Sequence, residues 1–246
     1  MDRKVAIITG ASRGIGAAAA RRLAADGWSV AINYLTNKAA AAGVAGEIEQ
    51  AGGAALVIQA DTASEVEVTR MFDMVESTWG RLDGLVNNAG IIGPRGRFAE
   101  LSCSAMDRVL AVNVVGYMLC ARAAVKRMST KHGGDGGVIV NVSSGAAHRG
   151  GSNENILYAV SKGAVNSLTI GLSQEVAGEG IRVNAVAPGL TRTDMPNPTT
   201  LESQGPSIPI GRVGEADEIA AGIIWLMSDA ATYVAGANLR ISGGRP

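Results

Sequence analysis

The strongest constraint on the fold is an alternation between short apolar runs and longer, alanine-rich stretches with helical spacing. The apolar runs are rich in β-branched residues and are too short for helices, so they predict β-strands. These runs lie at 4–9, 29–34, 54–60, 83–87, 137–143, 181–187 and 238–242. Helical spacing covers 15–26, 37–51, 64–79, 104–130, 156–178 and 215–228.

The order of these elements predicts an α/β fold. The predicted strands are nearly continuously apolar, as is typical of strands covered by helices on both faces. Strand and helix alternate from end to end, which predicts a doubly wound, parallel, seven-stranded Rossmann-type sheet with right-handed crossovers. No linker divides the chain, so we expect residues 1–246 to form a single domain. Segment 189–214 is rich in proline and fits no element. It is interpreted as a lid over a site, with a surface excursion as the alternative.

Composition and charge argue against several classes of function. The formal net charge is +0 and no long basic stretch is present, so we expect neither a nucleic-acid partner nor a membrane surface. No signal-peptide pattern and no uncharged run of about 18 apolar residues is found, which favours a cytoplasmic protein. Cys103 and Cys120 are isolated, and neither His132 nor His148 has a partner at metal-ligand spacing, so we expect no metal. His148 either is solvated or borders a cleft.

A glycine-rich turn follows the first predicted strand directly, with the sequence TGASRGIG over Thr9–Gly16. Gly10 permits the tight turn, Gly14 allows the backbone to approach a pyrophosphate, and Gly16 allows the helix to pack closely on the strand. The N-terminus of the next helix directs free N–H groups at phosphates. The turn therefore predicts a dinucleotide site, and a glycine-rich turn without a ligand is the alternative.

The end of the second predicted strand indicates which dinucleotide binds. An NAD site usually has a carboxylate there, which accepts a hydrogen bond from the ribose 2′-hydroxyl. This chain has Asn33 followed by Tyr-Leu-Thr-Asn, with no carboxylate to repel a 2′-phosphate. Arg13, in the glycine turn, can reach that phosphate as a cation. Both features favour NADP(H), although the neutral Asn33 also tolerates NAD(H).

Tyr158 and Lys162 lie four residues apart in a predicted helix and therefore share one of its faces. Lowering a tyrosine pKa from about 10 to about 7 requires ~4 kcal/mol. One cation at about 4 Å supplies ~1 kcal/mol in bulk water but ~4 kcal/mol at an effective dielectric constant near 20. Lys162 can thus lower the pKa of Tyr158 substantially only in a partly dry cleft. The alternative is a tyrosine packed under a lysine stem.

Further polar residues are predicted at the carboxyl edge of the sheet, where doubly wound folds bind ligands. Ser144 closes the fifth strand run, Asn87–Gly90 ends the fourth, and Asn113 lies in the helical stretch 104–130. With these motifs the chain resembles the short-chain dehydrogenase/reductase family over its whole length, including 3-oxoacyl-thioester reductases and glucose 1-dehydrogenases. The resemblance rests on Thr9–Gly16, Asp61, Asn87–Gly90, Asn113, Ser144, Tyr158, Lys162, Pro188 and Gly189.

The resemblance implies one dinucleotide-binding and catalytic domain that moves a hydride between NADP(H) and a carbonyl or secondary alcohol carbon. Tyr158 would be the general acid/base, and Ser144, rather than Ser143, would hydrogen-bond the substrate oxygen. Lys162 would hold the nicotinamide ribose and lower the pKa of Tyr158, while Asn113 would position a water. The implied cofactor-binding residues are Gly10, Ser12, Arg13, Gly14, Ile15, Gly16, Asn33, Asp61, Thr62, Asn87, Ala89, Gly90, Tyr158, Lys162, Pro188, Gly189, Thr191 and Thr193.

Several implied properties leave alternatives open. Asp61 would bind the adenine amino group, or else only precede a helix. The substrate is a small molecule, either a 3-oxoacyl thioester or a sugar or other alcohol, and the loop 144–157 would border it. A non-catalytic dinucleotide-binding sensor or scaffold is the alternative from a different class. The resemblance also implies a homotetramer built through 104–130, 156–178 and the last strand.

Overall fold

A seven-stranded parallel sheet forms the centre of the protein, in a computed structural model that describes residues 3–245. The strand order is β3-β2-β1-β4-β5-β6-β9, and every neighbouring pair is parallel. The strands are β1 Val5–Ile8, β2 Ser29–Tyr34, β3 Ala54–Gln59, β4 Gly84–Asn87, β5 Gly137–Val142, β6 Ile181–Pro188 and β9 Asn238–Ile241. Two short strands, β7 Thr191–Arg192 and β8 Gly214–Glu215, pair separately.

Helices cover both faces of this sheet and confirm the predicted fold class. The α-helices are α1 Gly14–Ala25, α2 Lys38–Gln50, α3 Glu65–Trp79, α4 Cys103–Leu110, α5 Gly116–Met128, α6 Ala146–Arg149, α7 Ile156–Val176, α8 Pro198–Gln204 and α9 Ala216–Met227. Helices α1, α2 and α9 pack on one face, whereas α3, α5 and α7 pack on the other.

Strand β1 shows how one sequence run supplies two cores. Successive side chains of a strand point to opposite faces of the sheet. Ala6 and Ile8 accordingly join the core under α1 and α9, whereas Val5 and Ile7 join the core under α3 and α5. All of these residues are buried, so the strand is apolar throughout and shows no alternation in its sequence.

The position of β1 also creates the site. Ile7 is in register with Ala31 of β2 on one side and with Leu85 of β4 on the other. The chain runs outward from β1 to β3 and then crosses back to β4. The connections after β1 and β4 therefore leave in opposite directions, and the crevice between them is where open α/β sheets bind ligands.

Three predicted segments are built differently from the sequence-based expectation. The stretch 104–130 is not one regular α-helix, because a π-helical turn, Ala111–Val115, separates α4 from α5. The loop 144–157 contains the short helix α6. Segment 189–214 is not without regular structure, since it contains β7 and α8.

Helix α8 has a start signal in its own sequence. The Asn197 side chain accepts a hydrogen bond from the Thr199 N–H at 3.0 Å, and Pro198 occupies the first helical position. An asparagine cap followed by proline is a favourable helix start, because proline has no N–H to leave unsatisfied there.

The helical stretch Cys103–Met128 has a mean hydropathy of 1.5 in its most apolar window, of which 44% is buried. By length and composition alone it could cross a membrane, a property that core helices of globular proteins share. In this protein α5 supplies Cys120, Ala121, Ala124 and Met128 to the core beneath the sheet.

The two phenylalanines provide a test of this core. Phe72 on α3 is fully buried, whereas Phe98 is 55% exposed. We expect Phe72→Ala to lower the free energy of unfolding by about 3–5 kcal/mol, because it removes an aromatic ring and leaves a cavity. Phe98→Ala should lower it by less than about 1 kcal/mol. Chemical denaturation of both variants measures the difference, and equal losses would contradict the core described here.

Candidate active site

A cavity of about 730 Å³ lies at the carboxyl edge of the sheet. Most of the site residues predicted from the sequence lie on the wall of this cavity. Those on its wall are Gly10, Ser12, Arg13, Gly14, Ile15, Asn33, Asp61, Thr62, Ala89, Gly90, Ser144, Tyr158, Lys162, Pro188, Gly189, Thr191 and Thr193. Three predicted residues, Gly16, Asn87 and Asn113, are not on this wall.

The glycine turn requires glycine at the predicted positions. Gly10 and Gly14 have φ values of 62° and 57°, in the left-handed region that side chains disfavour. A Cβ on Gly16 would lie 2.7 Å from the Gly10 carbonyl oxygen, so α1 could not pack this closely on the turn. Arg13, at the N-cap of α1, makes no side-chain capping hydrogen bond. The first N–H groups of α1 are thus suited to binding a phosphate group.

Hydrogen bonds across the crevice hold this turn in place. The Asn88 amide nitrogen donates to the carbonyl oxygens of Thr9, at 2.9 Å, and Gly10, at 3.0 Å. In return, the Thr9 hydroxyl accepts hydrogen bonds from the Asn88 and Ala89 N–H groups. The end of β1 is therefore joined to the end of β4 by side chains as well as by the sheet ladder.

The side-chain amide of Asn33 is hydrogen-bonded at both its oxygen and its nitrogen to groups within the protein. Its side-chain oxygen accepts a hydrogen bond from the Gly10 N–H at 3.1 Å, and its side-chain nitrogen donates to the Ala60 carbonyl at 3.0 Å. Asn33 thus shapes the glycine turn from beneath, and residues 34–37 continue the cavity wall with no carboxylate. Asn87 is buried, and its side chain donates to the Tyr117 carbonyl and to the Asn141 side chain.

Asp61 and Arg13, two charged residues predicted to contact the cofactor, each form an ion pair with another residue. Asp61 accepts a hydrogen bond from the Ala63 N–H and forms an ion pair with Arg108 at 3.2 Å. Ser64, and not Asp61, caps α3. Arg13 lies 3.6 Å from Asp194, and both side chains are exposed. This ion pair links the glycine turn to segment 189–214.

Ser144 and Tyr158 meet on the cavity wall. Ser144 is the second residue after β5, Tyr158 lies in the first turn of α7, and their side chains share a hydrogen bond. The neighbouring Ser143 hydroxyl points away from Tyr158 and donates to the Asn166 side chain at 2.6 Å. The two serines therefore face different partners, as strand alternation predicts.

Lys162 lies deeper than the tyrosine. Its Nζ donates to the Tyr117 hydroxyl at 3.0 Å and to the Val142 carbonyl at 2.7 Å. The same nitrogen is 5.7 Å from the centre of the Tyr158 ring. Burial lowers the pKa of Lys162 to about 7, because the charged ammonium loses its hydration.

Lys162 is not the main influence on the pKa of Tyr158 in this arrangement. Burial raises the pKa of Tyr158, and the hydrogen bond with Ser144 opposes that shift only in part. The sequence argument required a dry cleft so that one cation could act strongly. The same exclusion of water raises the free energy of the charged phenolate. The nearby Lys162 ammonium donates its hydrogen bonds to the Tyr117 hydroxyl and the Val142 carbonyl.

Asn113 lies in the π-helical turn and ties three elements together. Its side-chain oxygen accepts a hydrogen bond from the Ile91 N–H, and its nitrogen donates to the Ile91 carbonyl and the Ser161 hydroxyl. It is fully buried. A π-turn at such a position is typical of functional sites, because it re-aims neighbouring groups within an otherwise regular helix.

Comparisons with known proteins identify the family of this chain. A family model described as enoyl-(acyl carrier protein) reductase matches residues 10–245. A crystal structure of a short-chain dehydrogenase from Burkholderia cenocepacia in complex with NADP is 39% identical, with a TM-score of 0.92, and covers 98% of this chain and 97% of that one. The chain belongs to the short-chain dehydrogenase/reductase family.

Two curated relatives show how broad this family is. An uncharacterised oxidoreductase of Escherichia coli, YgfF, is 47% identical over 98% of this chain and 99% of its own length. Glucose 1-dehydrogenase 2 of Bacillus subtilis is 37% identical over 98% of this chain and 94% of its own length. The protein is thus an oxidoreductase of the short-chain dehydrogenase/reductase family that acts on alcohol or ketone groups.

Sequence reasoning gave no role to Thr9 and Asn88, although both lie in its motifs, and it missed Tyr117. Thr9 and Asn88 brace the glycine turn, and Tyr117 binds Lys162. Tyr117 could have been found from its spacing, because it lies four residues after Asn113. His148 is exposed and is not on the cavity wall. Within residues 3–245 no group of three His, Cys, Asp or Glu residues could hold a metal ion.

The buried Lys162 predicts a pH-dependent stability. Its pKa falls from 10.5 to about 7 on folding, so between these values the unfolded chain holds a proton that the folded protein releases. The buried ammonium therefore destabilises the folded state fully below pH 7, and this penalty is relieved progressively as the pH rises from 7 toward 10.5. We expect Lys162→Met to increase the free energy of unfolding more at about pH 7 than at about pH 9, by on the order of 2 kcal/mol.

Chemical denaturation of the wild type and the variant at both pH values measures this difference. Lys126→Met is the matched control, because Lys126 is an exposed lysine whose replacement removes no buried charge. A Lys162→Met effect that is the same at both pH values would show that the ammonium is not desolvated on folding.

Proposed function

We propose that the protein is an NADP(H)-dependent oxidoreductase in which Tyr158 is the general acid/base. The observation that carries this proposal is the hydrogen-bonded pair of Ser144 and Tyr158 on the wall of the cavity that the glycine turn also lines. A bound nicotinamide cofactor supplies or accepts the hydride. The residues of this chain would then hold the substrate oxygen and move its proton.

The raised pKa of Tyr158 favours carbonyl reduction. At neutral pH a phenol with a raised pKa is protonated, which is the form that a general acid needs. Ser144 would donate a hydrogen bond to the carbonyl oxygen while Tyr158 delivers its proton to the same atom. Oxidation of an alcohol needs the phenolate instead, so that direction would require a more alkaline pH.

Lys162 and Asn113 complete the proposed machinery. Lys162 would bind the nicotinamide ribose, since it lies on the cavity wall next to Gly90. Asn113 would support the site from the π-turn, where its side chain already holds Ile91 and Ser161. The positioning of a water by Asn113 is part of the same proposal.

The cofactor would extend along the carboxyl edge of the sheet. We assign the pyrophosphate to the glycine turn, the adenine to Asp61 and Thr62, and the adenosine ribose to the backbone near Asn87, Ala89 and Gly90. The nicotinamide half would lie against the segment after β6. The further residues in the proposed cofactor site are Gly10, Ser12, Arg13, Gly14, Ile15, Gly16, Asn33, Pro188, Gly189, Thr191 and Thr193.

We propose NADP(H) as the preferred cofactor and NAD(H) as a weaker one. Arg13 lies on the cavity wall with its side chain 65% exposed, so a phosphate group can reach it. The wall after Asn33 has no carboxylate that would repel a 2′-phosphate. The Burkholderia neighbour binds NADP, in agreement with this preference.

The substrate would be a small carbonyl or alcohol compound, and two classes remain candidates. A relative from Synechocystis, 36% identical, is a 3-oxoacyl-(acyl-carrier-protein) reductase, whereas the Bacillus relative is a glucose 1-dehydrogenase. Segment 189–214 would cover the substrate, because Thr193 packs against Gly14 and Asp194 pairs with Arg13. A sensor or scaffold that only binds the dinucleotide would not need Ser144 beside Tyr158.

We also propose a cytoplasmic homotetramer. Helices α5 and α7 expose apolar side chains that a partner subunit could cover. Met118 is 50% exposed, Val160 56% and Ile170 51%. The partner that we propose for these faces is a second copy of this chain, since most soluble oligomers are symmetric assemblies of identical subunits.

Replacement of the tyrosine tests the catalytic assignment. Tyr158→Phe removes the transferable proton and keeps the ring, so kcat on a true carbonyl substrate should fall by about 10²–10⁴-fold. Cofactor affinity should stay close to that of the wild type. The measurements are NADPH absorbance and a fluorescence titration of cofactor binding, with the fully exposed Tyr233→Phe as control. Retention of more than about a tenth of wild-type kcat would exclude Tyr158 as the general acid.

Replacement of Arg13 tests the cofactor preference. We expect Arg13→Ala to lower kcat/KM for NADPH by about 10–100-fold, the value of a charge-assisted hydrogen bond, and to change kcat/KM for NADH little. Arg21→Ala is the control on the same helix, because Arg21 pairs with Glu47 outside the cavity. Asp194→Asn breaks the ion pair without removing the cation, so it should preserve the preference. Equal losses for both cofactors in Arg13→Ala would refute the assignment.

A further inference from the structure

Tyr117 is a buried tyrosine that the proposed mechanism does not use. It lies in the first turn of α5, directly after the π-turn, and is 2% exposed. Its hydroxyl donates to the Val142 carbonyl at 3.0 Å and accepts a hydrogen bond from Lys162 Nζ at 3.0 Å. Lys162 also donates to the same Val142 carbonyl. The three groups thus form a closed, buried hydrogen-bond triangle.

The backbone places this triangle beside the reacting groups. Asn113 and Tyr117 lie four residues apart on the long helical element, and they bind the consecutive residues Ser161 and Lys162 of α7. The same contact surface between these helices thus holds the proposed water-positioning residue and the lysine. In addition, the Asn87 side chain donates to the Tyr117 carbonyl, which ties this turn to the end of β4.

The hydroxyl of Tyr117 presents its oxygen to the ammonium. The Tyr117 hydroxyl donates its proton to the Val142 carbonyl, so the lone pairs of the hydroxyl oxygen accept the hydrogen bond from Lys162 Nζ. An acceptor in a dry pocket stabilises an ammonium more than a neutral amine. No ion pair joins Lys162 to any carboxylate within residues 3–245, and Tyr158 is the other titratable group near it. The charge of the Lys162 ammonium is thus stabilised by neutral acceptors, the Tyr117 hydroxyl and the Val142 carbonyl.

We propose that Tyr117 is a positioning residue that keeps Lys162 protonated and held at the cavity wall. Burial lowers the pKa of Lys162. In this proposal the hydrogen bonds that Lys162 donates to the Tyr117 hydroxyl and the Val142 carbonyl oppose that effect. Tyr117 does not touch the substrate oxygen in this scheme. It acts through Lys162, and its consequence for cofactor binding rests on the proposed function of that lysine.

Tyr117→Phe tests the proposal, because it removes only the hydroxyl and leaves the ring in place. The Val142 carbonyl keeps its hydrogen bond from Lys162, so the variant leaves no orphaned acceptor. We expect the pKa of Lys162 to fall from about 7 by about one unit, as expected for loss of a hydrogen bond to a charged group. The readout is the ¹³C shift of the lysine Cε in cofactor-free, lysine-labelled enzyme, followed against pH and assigned with Lys162→Met.

A second measurement connects the residue with the cofactor. If binding needs the ammonium, the NADPH dissociation constant of Tyr117→Phe should rise about tenfold at about pH 8 and stay near the wild-type value at about pH 5.5. A merely structural defect would weaken binding at both pH values. Cys120→Ala is the matched control, since Cys120 is a buried residue of the same helix that makes no hydrogen bond to Lys162.

An unchanged Lys162 titration in Tyr117→Phe, with wild-type thermal stability, would overturn the proposal. A shifted titration with pH-independent cofactor affinity would keep the role of Tyr117 and refute the assignment of Lys162 to the cofactor. If Tyr117→Phe and Cys120→Ala shift the titration equally, helix packing and not the hydroxyl controls the lysine, and the proposal also fails.

Discussion

The crevice between β1 and β4 depends on hydrogen bonds that cross it. Parallel strands whose connections diverge leave an open edge, and the backbone groups there need partners. Thr9 and Asn88 provide them by exchanging side-chain and main-chain hydrogen bonds at 2.9–3.0 Å. Asn33 supports Gly10 from the opposite side. With this bracing the glycine turn holds its left-handed residues and directs the start of α1 into the cavity.

Burial then sets the chemistry of the site. The same low-dielectric surroundings that strengthen each hydrogen bond penalise every charge. The pKa of Tyr158 is therefore raised and that of Lys162 is lowered to about 7, so both groups favour their neutral forms. A protonated phenol is suited to deliver a proton to a carbonyl oxygen. The lysine, in contrast, depends on its acceptors, Tyr117 and the Val142 carbonyl, to stay charged.

Local patterns predicted those parts of the structure that depend on local physics. The strand runs, the glycine turn and the spacing of Tyr158 and Lys162 follow from burial, backbone sterics and helix periodicity, and the structure has each of them. The π-turn at Ala111–Val115 was not predictable, because the residues AVNVV fit an ordinary helix equally well. The hydrogen bonds of Asn113 to Ile91 and Ser161 accompany that turn and come from distant parts of the chain. Helix α8 was predictable from Asn197 and Pro198, yet the prolines of that segment favoured a loop.

The sequence by itself determined the fold class, the family and the set of residues at the carboxyl edge of the sheet. These follow from periodicity and motif spacing, which are properties of the chain. Only the tertiary structure decided how the polar groups pair. It assigned Asn33 to the glycine turn, Arg13 to Asp194, and Lys162 to Tyr117 instead of Tyr158. The physical reason is that hydrogen-bond partners and desolvation depend on contacts between residues far apart in the chain, and spacing along one helix cannot specify them.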